Sequence, residues 1–138
     1  ERMRMYPKAS PARRGTIPLL VGGNGTESIR GAGELGDGWH PINVAPADMP
    51  GLVEQYRAAC SRFGRAPGPI VLRHMPGGRV VPGGPRLPLT GPAEEQAADV
   101  RAYGAAGVDE IMLSLAARSV DELLQTLRQF MREVAPRV

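Results

Sequence analysis

Residues 19–41 read LLVGGNGTESIRGAGELGDGWHP, and this stretch decides the fold. An apolar run ends at Gly22 and Gly23, a helical pattern follows, and the chain turns extended again at residues 36–40. A short apolar run bounded by glycines is typical of a buried parallel strand. Asn24 followed three residues later by Glu27 is the pattern of a capping box at a helix start. The stretch therefore predicts a strand, a tight turn, a helix and a second strand.

The same strand-then-helix pattern continues to the end of the chain. Apolar runs predict strands at 17–21, 38–42, 69–75 and 110–115, and helical spacing predicts helices at 24–36, 48–63, 91–107 and 119–134. The helix residues expected to face the core include Ile29, Leu35, Tyr56, Phe63, Ala97, Gly104, Leu127 and Val134. Alternating strands and helices require parallel pairing with right-handed crossovers. We therefore predict an α/β fold of four βα units, half of a TIM-type (βα)8 barrel with parallel strands and outer helices.

The length of 138 residues suits one domain. We expect residues 1–14 to be a basic arm or linker and residues 15–138 to be the half-barrel domain. The first residue is not Met and no signal-like order follows it, so the chain is expected to begin within a longer protein. Residues 76–90 form a Pro/Gly-rich loop, interpreted either as a lid over a cofactor or as a disordered insertion.

The positive charge of the chain lies in its arm. The net charge is +3, yet residues 1–14 hold five basic groups and one acid, whereas residues 15–138 hold 12 basic and 13 acidic groups. A nucleic-acid-binding domain places basic groups on folded structure, often interleaved with aromatic residues, which are scarce here. We therefore expect no nucleic-acid partner. No apolar stretch reaches membrane-spanning length, so we also expect no membrane partner.

The single cysteine, Cys60, fits a reducing compartment and hence a cytoplasmic location. Cys60 lies on an apolar helix face, which predicts burial as a small hydrophobe rather than reactivity.

The loop formed by Gly22, Gly23, Asn24, Gly25 and Thr26 is the first candidate binding site. It lies at the carboxyl end of a predicted strand and the amino end of a predicted helix, where free N–H groups and the helix dipole favour an anion. Glycines let the backbone approach a phosphate, while Asn24 and Thr26 add hydrogen-bonding groups. On the residues alone, a sharp turn in which Asn24 merely caps the helix is the favoured interpretation, and a phosphate site is the alternative.

Other candidate pocket residues lie near the carboxyl ends of later strands: Trp39, His40, His74, Arg79 and Arg86. Strand alternation places Trp39 and His40 on opposite faces, so one of them points into the helix layer. His40 and His74 without a third ligand at suitable spacing fall short of a zinc site, and we expect no metal. Arg79 and Arg86 are candidates for contacts with an acidic cofactor tail.

Three short motifs together resemble a known family. They are VGGN at 21–24, GDGW at 36–39 and AGVD at 106–109, and their separation resembles that in the carboxyl-terminal half of the bacterial luciferase-like monooxygenases, including the deazaflavin-dependent branch. The resemblance covers residues 11–138. Members of this superfamily are complete barrels, and nothing in this chain matches their first half.

The resemblance implies an oxidoreductase with a small-molecule substrate and either FMN or a deazaflavin coenzyme. In such enzymes the loop that matches residues 22–26 approaches the cofactor phosphate, and the reaction is hydride transfer on the cofactor ring or oxygen activation. No general acid or base is identifiable in the sequence, so the catalytic residues stay unassigned.

The alternative interpretation is a catalytically inactive half-barrel that serves as a structural or assembly module. A half-barrel leaves open strand edges and an apolar inner face. We therefore expect a homodimer, or pairing with a missing amino-terminal half.

Overall fold

The computed structural model describes residues 17–75, 86–115 and 117–138 of the chain. The strands are β1 (Leu20–Gly22), β2 (Gly38–His40), β3 (Val71–His74) and β4 (Glu110–Leu113). The helices are α1 (Thr26–Leu35), α2 (Met49–Arg62), α3 (Ala93–Ala106) and α4 (Val120–Glu133), followed by a short 3-10 helix at Ala135–Arg137. This order confirms an α/β fold with parallel strands and four helices.

The strands follow one another in the order β1, β2, β3, β4. β1 pairs parallel with β2, with Val21 opposite Trp39, and β3 pairs parallel with β4, with Leu72 opposite Ile111. Single parallel bridges from Trp39 to Ile70 and from Ile42 to Arg73 connect the two pairs. Right-handed crossovers in this order place every helix on the same face of the sheet. The other side is called the open face below.

The core lies between the sheet and the helices. Trp39 and Tyr56 are fully buried, with ring centroids 5.7 Å apart, so Trp39 points into the helix layer. Leu72 is buried on the same side of β3. Tyr103 is also fully buried, and its hydroxyl donates to the Val44 carbonyl at 2.7 Å. Cys60 is buried in this layer, as expected from its helix face.

Helices α1 and α2 pack with their backbones nearly in contact at Gly33. A Cβ atom at this position would lie 2.8 Å from the Cβ atom and the carbonyl carbon of Ala59 and 2.8 Å from the backbone nitrogen of Cys60. Only glycine allows this approach without a shift of one helix.

Several residues predicted to be buried are exposed. Ile17, Leu19 and Leu20 of the first predicted strand are exposed, because no described strand covers that edge of β1. Leu35, Phe63 and Gly104 also face outward, and Tyr103 occupies the core position predicted for Gly104. Helix α4 has no buried residue, and Leu127 is 40% exposed, although Val134 just beyond it is buried.

Two predicted segments lie wholly or partly outside the described residues. The arm at 1–14 is one of them, and positions 76–85 of the Pro/Gly-rich loop are the other. In the part of the chain that the structure describes, no helix is both long enough and apolar enough to cross a membrane.

Candidate functional site

The loop between β1 and α1 makes a tight turn into the helix. Gly23 has φ +113°, and a Cβ atom there would lie 2.6 Å from Ser28 Oγ, so this position requires glycine. Gly25 is the N-cap residue in an extended conformation, and no described atom outside its own chain neighbours lies within 4 Å of the place where its Cβ would stand. Open space therefore lies beside the first turn of α1.

Helix α1 begins without a side-chain cap. The predicted capping box at Asn24 is wrong, since the helix starts at Thr26 and its N-cap residue, Gly25, makes no side-chain cap hydrogen bond. Glu27 in that turn is paired with Arg30 at 2.6 Å. The N–H groups of the first turn and the positive end of the helix dipole are thus free of a capping side chain, an arrangement suited to an anion.

The Asn24 side chain instead holds the next strand. Its Nδ2 donates to Ile42 O at 2.7 Å, and its Oδ1 accepts from Ile42 N at 2.9 Å. Trp39 adds a further link, because its Nε1 donates to Gly23 O at 2.8 Å. The separation of the VGGN and GDGW motifs therefore reflects the pairing of β1 with β2 and the bonds between their ends.

His40 lies on the open face, opposite in direction to Trp39. Its Nδ1 is 2.6 Å from Val71 O. Because a carbonyl only accepts, Nδ1 carries a proton, and in the tautomer that this bond selects Nε2 is the acceptor. The predicted opposition of Trp39 and His40 is confirmed, with Trp39 in the helix layer.

His74 points away from the open face, into the helix layer. It is 4% exposed, and neither ring nitrogen has a hydrogen-bond partner among the described residues. Burial lowers the pKa of His74 below 6.5, although the charge of Asp99 and the nearby Pro88 carbonyl act in the opposite direction. His74 is therefore neutral at pH 7, and it lies on the other face of the sheet from His40.

A cavity of about 430 Å³ adjoins His74, behind the carboxyl ends of β3 and β4 and between α4 and the start of α3. Most of its wall is apolar: Leu89, Pro92, Ala93, Leu113, Leu115, Leu127, Phe130 and Val134. The polar residues of the wall besides His74 are Gln96, Thr126, Gln129 and Glu133. Of the predicted pocket residues that the structure describes, His74 alone lines this cavity.

Arg86 is bound by carboxylates of the protein itself. Its guanidinium donates to both carboxylate oxygens of Asp99 at 2.8 Å and lies 2.7 Å from Glu95. Burial alone would raise the pKa of Asp99, but hydrogen bonds from Arg86 and from the Leu89 N–H, with the Arg86 charge, hold it below its ordinary value. Arg86 therefore anchors the loop before α3, which disfavours its predicted contact with an acidic cofactor. Arg79 lies outside the described residues.

The sequence reasoning missed the residues Asn43 and Arg73. Asn43 has φ +50°, its N–H donates to Arg73 O at 2.9 Å, and its Oδ1 accepts from Met75 N at 2.8 Å. Arg73 lies on the open face, with its Nε 3.3 Å from Ser114 Oγ. The position of Asn43 just after a strand, like that of Asn24, was the available signal.

Across residues 17–75, 86–115 and 117–138, no group of three or more His, Cys, Asp or Glu side chains is arranged to hold a metal ion.

In parallel α/β folds, ligand sites commonly lie at the carboxyl ends of the strands, which is where the glycine loop between β1 and α1 lies. The luciferase-like monooxygenase family matches residues 1–85 of the sequence, and the chain belongs to this family of oxidoreductases. The predicted resemblance is confirmed at this level. No curated protein matches the chain.

A solved structure has a similar fold. It is an F420-dependent secondary alcohol dehydrogenase in complex with an F420-acetone adduct, with 17% sequence identity and a TM-score of 0.66. The alignment covers 89% of this chain and 49% of the dehydrogenase, so the chain spans about half the length of that enzyme.

Proposed function

We propose that the chain forms the carboxyl-terminal half of a (βα)8 barrel in a flavin- or deazaflavin-dependent oxidoreductase, with the cofactor phosphate held at Gly22, Gly23, Asn24, Gly25 and Thr26. The observation that carries the proposal is the uncapped start of α1 at the carboxyl end of β1, in a chain of the luciferase-like family. Backbone N–H groups at a helix start bind phosphate in many cofactor-binding folds.

The loop fits a phosphate group in shape as well as in charge. A Cβ at Gly25 would meet nothing within 4 Å, so an anion can approach the first turn there. Thr26 is exposed at the start of the helix, where its hydroxyl is a further donor. Asn24 contributes by fixing the loop through Ile42, since both ends of its amide are engaged.

The exposed apolar residues support a barrel that is completed by other strands. Leu20 is 39% exposed and Met112 is 51% exposed, although both lie on strands. Alternation places them on the open face, which would be the lumen of a complete barrel. The alignment covers about half of the dehydrogenase chain, which agrees with a half-barrel.

Either of two cofactors suits the proposal. The family name indicates a monooxygenase, whereas the structural neighbour is named for its F420 dependence. The bound ring would supply hydride transfer or oxygen activation, and the chain would bind its phosphate, orient it against the open face and exclude water there. His40, with its Nε2 acceptor, and Arg73 lie on that face as candidates for contact with the ring or the substrate.

The experiment compares FMN and riboflavin, which differ only in the phosphate, and adds the deazaflavin coenzyme as the second candidate cofactor. The chain is titrated with FMN, riboflavin and the deazaflavin coenzyme, and ring fluorescence reports binding. We expect FMN to bind more tightly than riboflavin. Equal binding of the two would overturn the phosphate site, and no binding of any of the three would overturn the proposal.

A matched pair of variants at Gly25 sharpens the test. Gly25→Asp keeps a favourable N-cap residue but adds a negative charge, so FMN affinity should fall at least about tenfold while riboflavin binding is unchanged. Gly25→Ala adds a methyl group with neither charge nor capping oxygen and should lose much less affinity.

The second candidate function, an assembly module without activity, is favoured by one side of α4. Val120, Leu124, Leu127 and Met131 are 71%, 39%, 40% and 64% exposed. Their spacing of four, three and four residues is that of a helix-pairing seam. We propose that this seam and the open face pair with a second copy or with a missing amino-terminal half.

Light scattering on the chain, with and without cofactor, tests this candidate. A dimer that Met131→Glu converts to a monomer, together with no cofactor binding, would favour the assembly function. Gln125→Glu on the exposed polar side of α4 is the control and should leave the mass unchanged.

A further inference from the structure

The cavity beside His74 is separate from the proposed cofactor loop. It lies in the helix layer at the far end of the sheet from β1, and its walls come from His74, the segment before α3, the end of β4 and α4. Its volume of about 430 Å³ is of the size that small organic ligands occupy.

The polar wall residues other than His74 already have partners within the chain. Gln96 Nε2 donates to Gly91 O at 2.7 Å, Thr126 Oγ1 donates to Glu122 O at 3.0 Å, and Gln129 Nε2 donates to Glu133 at 3.2 Å. Within the described ranges, His74 is the one buried side chain whose nitrogen or oxygen atoms lack a hydrogen bond of normal geometry, although the Pro88 carbonyl lies near enough to raise its pKa. A buried polar group of this kind costs free energy unless a partner is supplied.

The charged groups in the cavity wall restrict the charge that a bound ligand can carry. Among the wall residues that the structure describes, the one ionisable group besides His74 is the acid Glu133, and Arg86 nearby is engaged by Asp99 and Glu95. An anion would therefore meet an acid and no free cation among these residues, whereas a cation would meet mostly apolar side chains. A neutral imidazole offers one donor and one acceptor, which a hydroxyl or a carbonyl can meet.

From these observations we propose that the cavity beside His74 binds an uncharged, mostly apolar small molecule that presents one hydroxyl or carbonyl group to the His74 ring. This site goes beyond the proposed cofactor function, because it lies in the helix layer rather than on the open face. Its existence does not depend on cofactor binding.

Phenol and benzene are the test ligands, since they differ by a single hydroxyl. The sequence contains two histidines, so the ring signals of a histidine-labelled chain in NMR comprise His40 and His74 alone. We expect phenol to shift the His74 signal saturably, to leave the His40 signal in place, and to bind roughly three- to tenfold more tightly than benzene, as one hydrogen bond allows.

Two variants locate the binding. Ala93→Phe places a ring in the cavity wall and should abolish the saturable shift, whereas Ala98→Phe makes the same change on an exposed position of α3 and should leave it intact. In His74→Leu, ligand-observed NMR should show equal binding of phenol and benzene. Absence of a saturable His74 shift, an unchanged shift in Ala93→Phe, or a phenol preference that survives in His74→Leu would each overturn the proposal.

Discussion

The amide of Asn24 holds the backbone of Ile42 from both sides, donating to its carbonyl at 2.7 Å and accepting from its N–H at 2.9 Å. The residues are 18 positions apart, and the bond pair joins the end of β1 to the end of β2. Asn43 makes a comparable link from the end of β2 to the end of β3. The carboxyl edge of the sheet is thus held together by side-chain amides.

The Asn24 link can be measured by a single-atom change. Asn24→Asp keeps an acceptor for the Ile42 N–H but loses the donor to the Ile42 carbonyl, so the free energy of unfolding should fall by about 1–2 kcal/mol. Urea unfolding gives this quantity. Thr26→Ala, two residues further along the same exposed loop, is the control and should change stability by less than about 0.5 kcal/mol.

Gly33 and Gly31 are a matched pair on α1 with opposite expected effects. Gly33→Ala puts a methyl group 2.8 Å from the Ala59 backbone, and the strain should lower the free energy of unfolding by about 1–3 kcal/mol. At Gly31 the nearest atom, Val21 Cγ1, would be 3.9 Å away, so Gly31→Ala should stabilise the helix by about 0.5–1 kcal/mol. Thermal or urea unfolding measures both changes. If the free energy of unfolding changed in the same direction in the two variants, the close packing of α1 on α2 at Gly33 would be contradicted.

The ion pair between Arg86 and Asp99 should contribute more to stability than the more exposed pair between Arg86 and Glu95. The Asp99 side chain is 12% exposed, and it also accepts from the Leu89 N–H at 2.7 Å. Leu89 has φ +56°, an uncommon conformation for a side-chain-bearing residue, so this bond helps to hold the turn. Asp99→Asn should cost about 1–3 kcal/mol of unfolding free energy. Glu95→Gln weakens one contact with the same Arg86 at a half-exposed position and should cost less than about 1 kcal/mol.

Stability should depend on pH through His74. Because burial lowers the pKa of His74 in the folded state, the unfolded chain takes up a proton first as the pH falls below 6.5. The free energy of unfolding should therefore rise with pH between the lowered pKa and 6.5, and fall as the pH decreases through that window, by at most about 1.4 kcal/mol per pH unit. The charged groups near this ring are Asp99, Arg86 and Glu133.

His74→Leu provides the comparison for the pH dependence. Between pH 7.5 and 5, the free energy of unfolding should change more steeply with pH in the parent chain than in the variant. Since His40 is present in both proteins, the difference reports on His74. Parallel pH dependences would show that His74 binds a proton equally well in the folded and unfolded states.

Two capping patterns in the sequence have different outcomes in the structure. The Ser-x-x-Glu pattern at 119–122 indicates a cap, and Ser119 does cap α4, since its side chain accepts from the Glu122 N–H at 3.2 Å, three residues away. Asn24 has the same local pattern but turns to Ile42 instead. A partner 18 residues away competes with the local one, and the sequence pattern contains no information about that competition.

The order of strands and helices and the glycine turn at Gly23 followed from the sequence alone, because they depend on neighbours a few residues apart. Parallel pairing followed from that alternating order. The tertiary structure decided the engagement of Asn24 and Arg86, the placement of His74 in the helix layer and the exposure of Leu20 and Leu127. Each of these depends on which distant strand, helix or carboxylate lies against the residue. Burial and hydrogen-bond partners are properties of that packing, whereas periodicity predicts only the face on which a side chain lies.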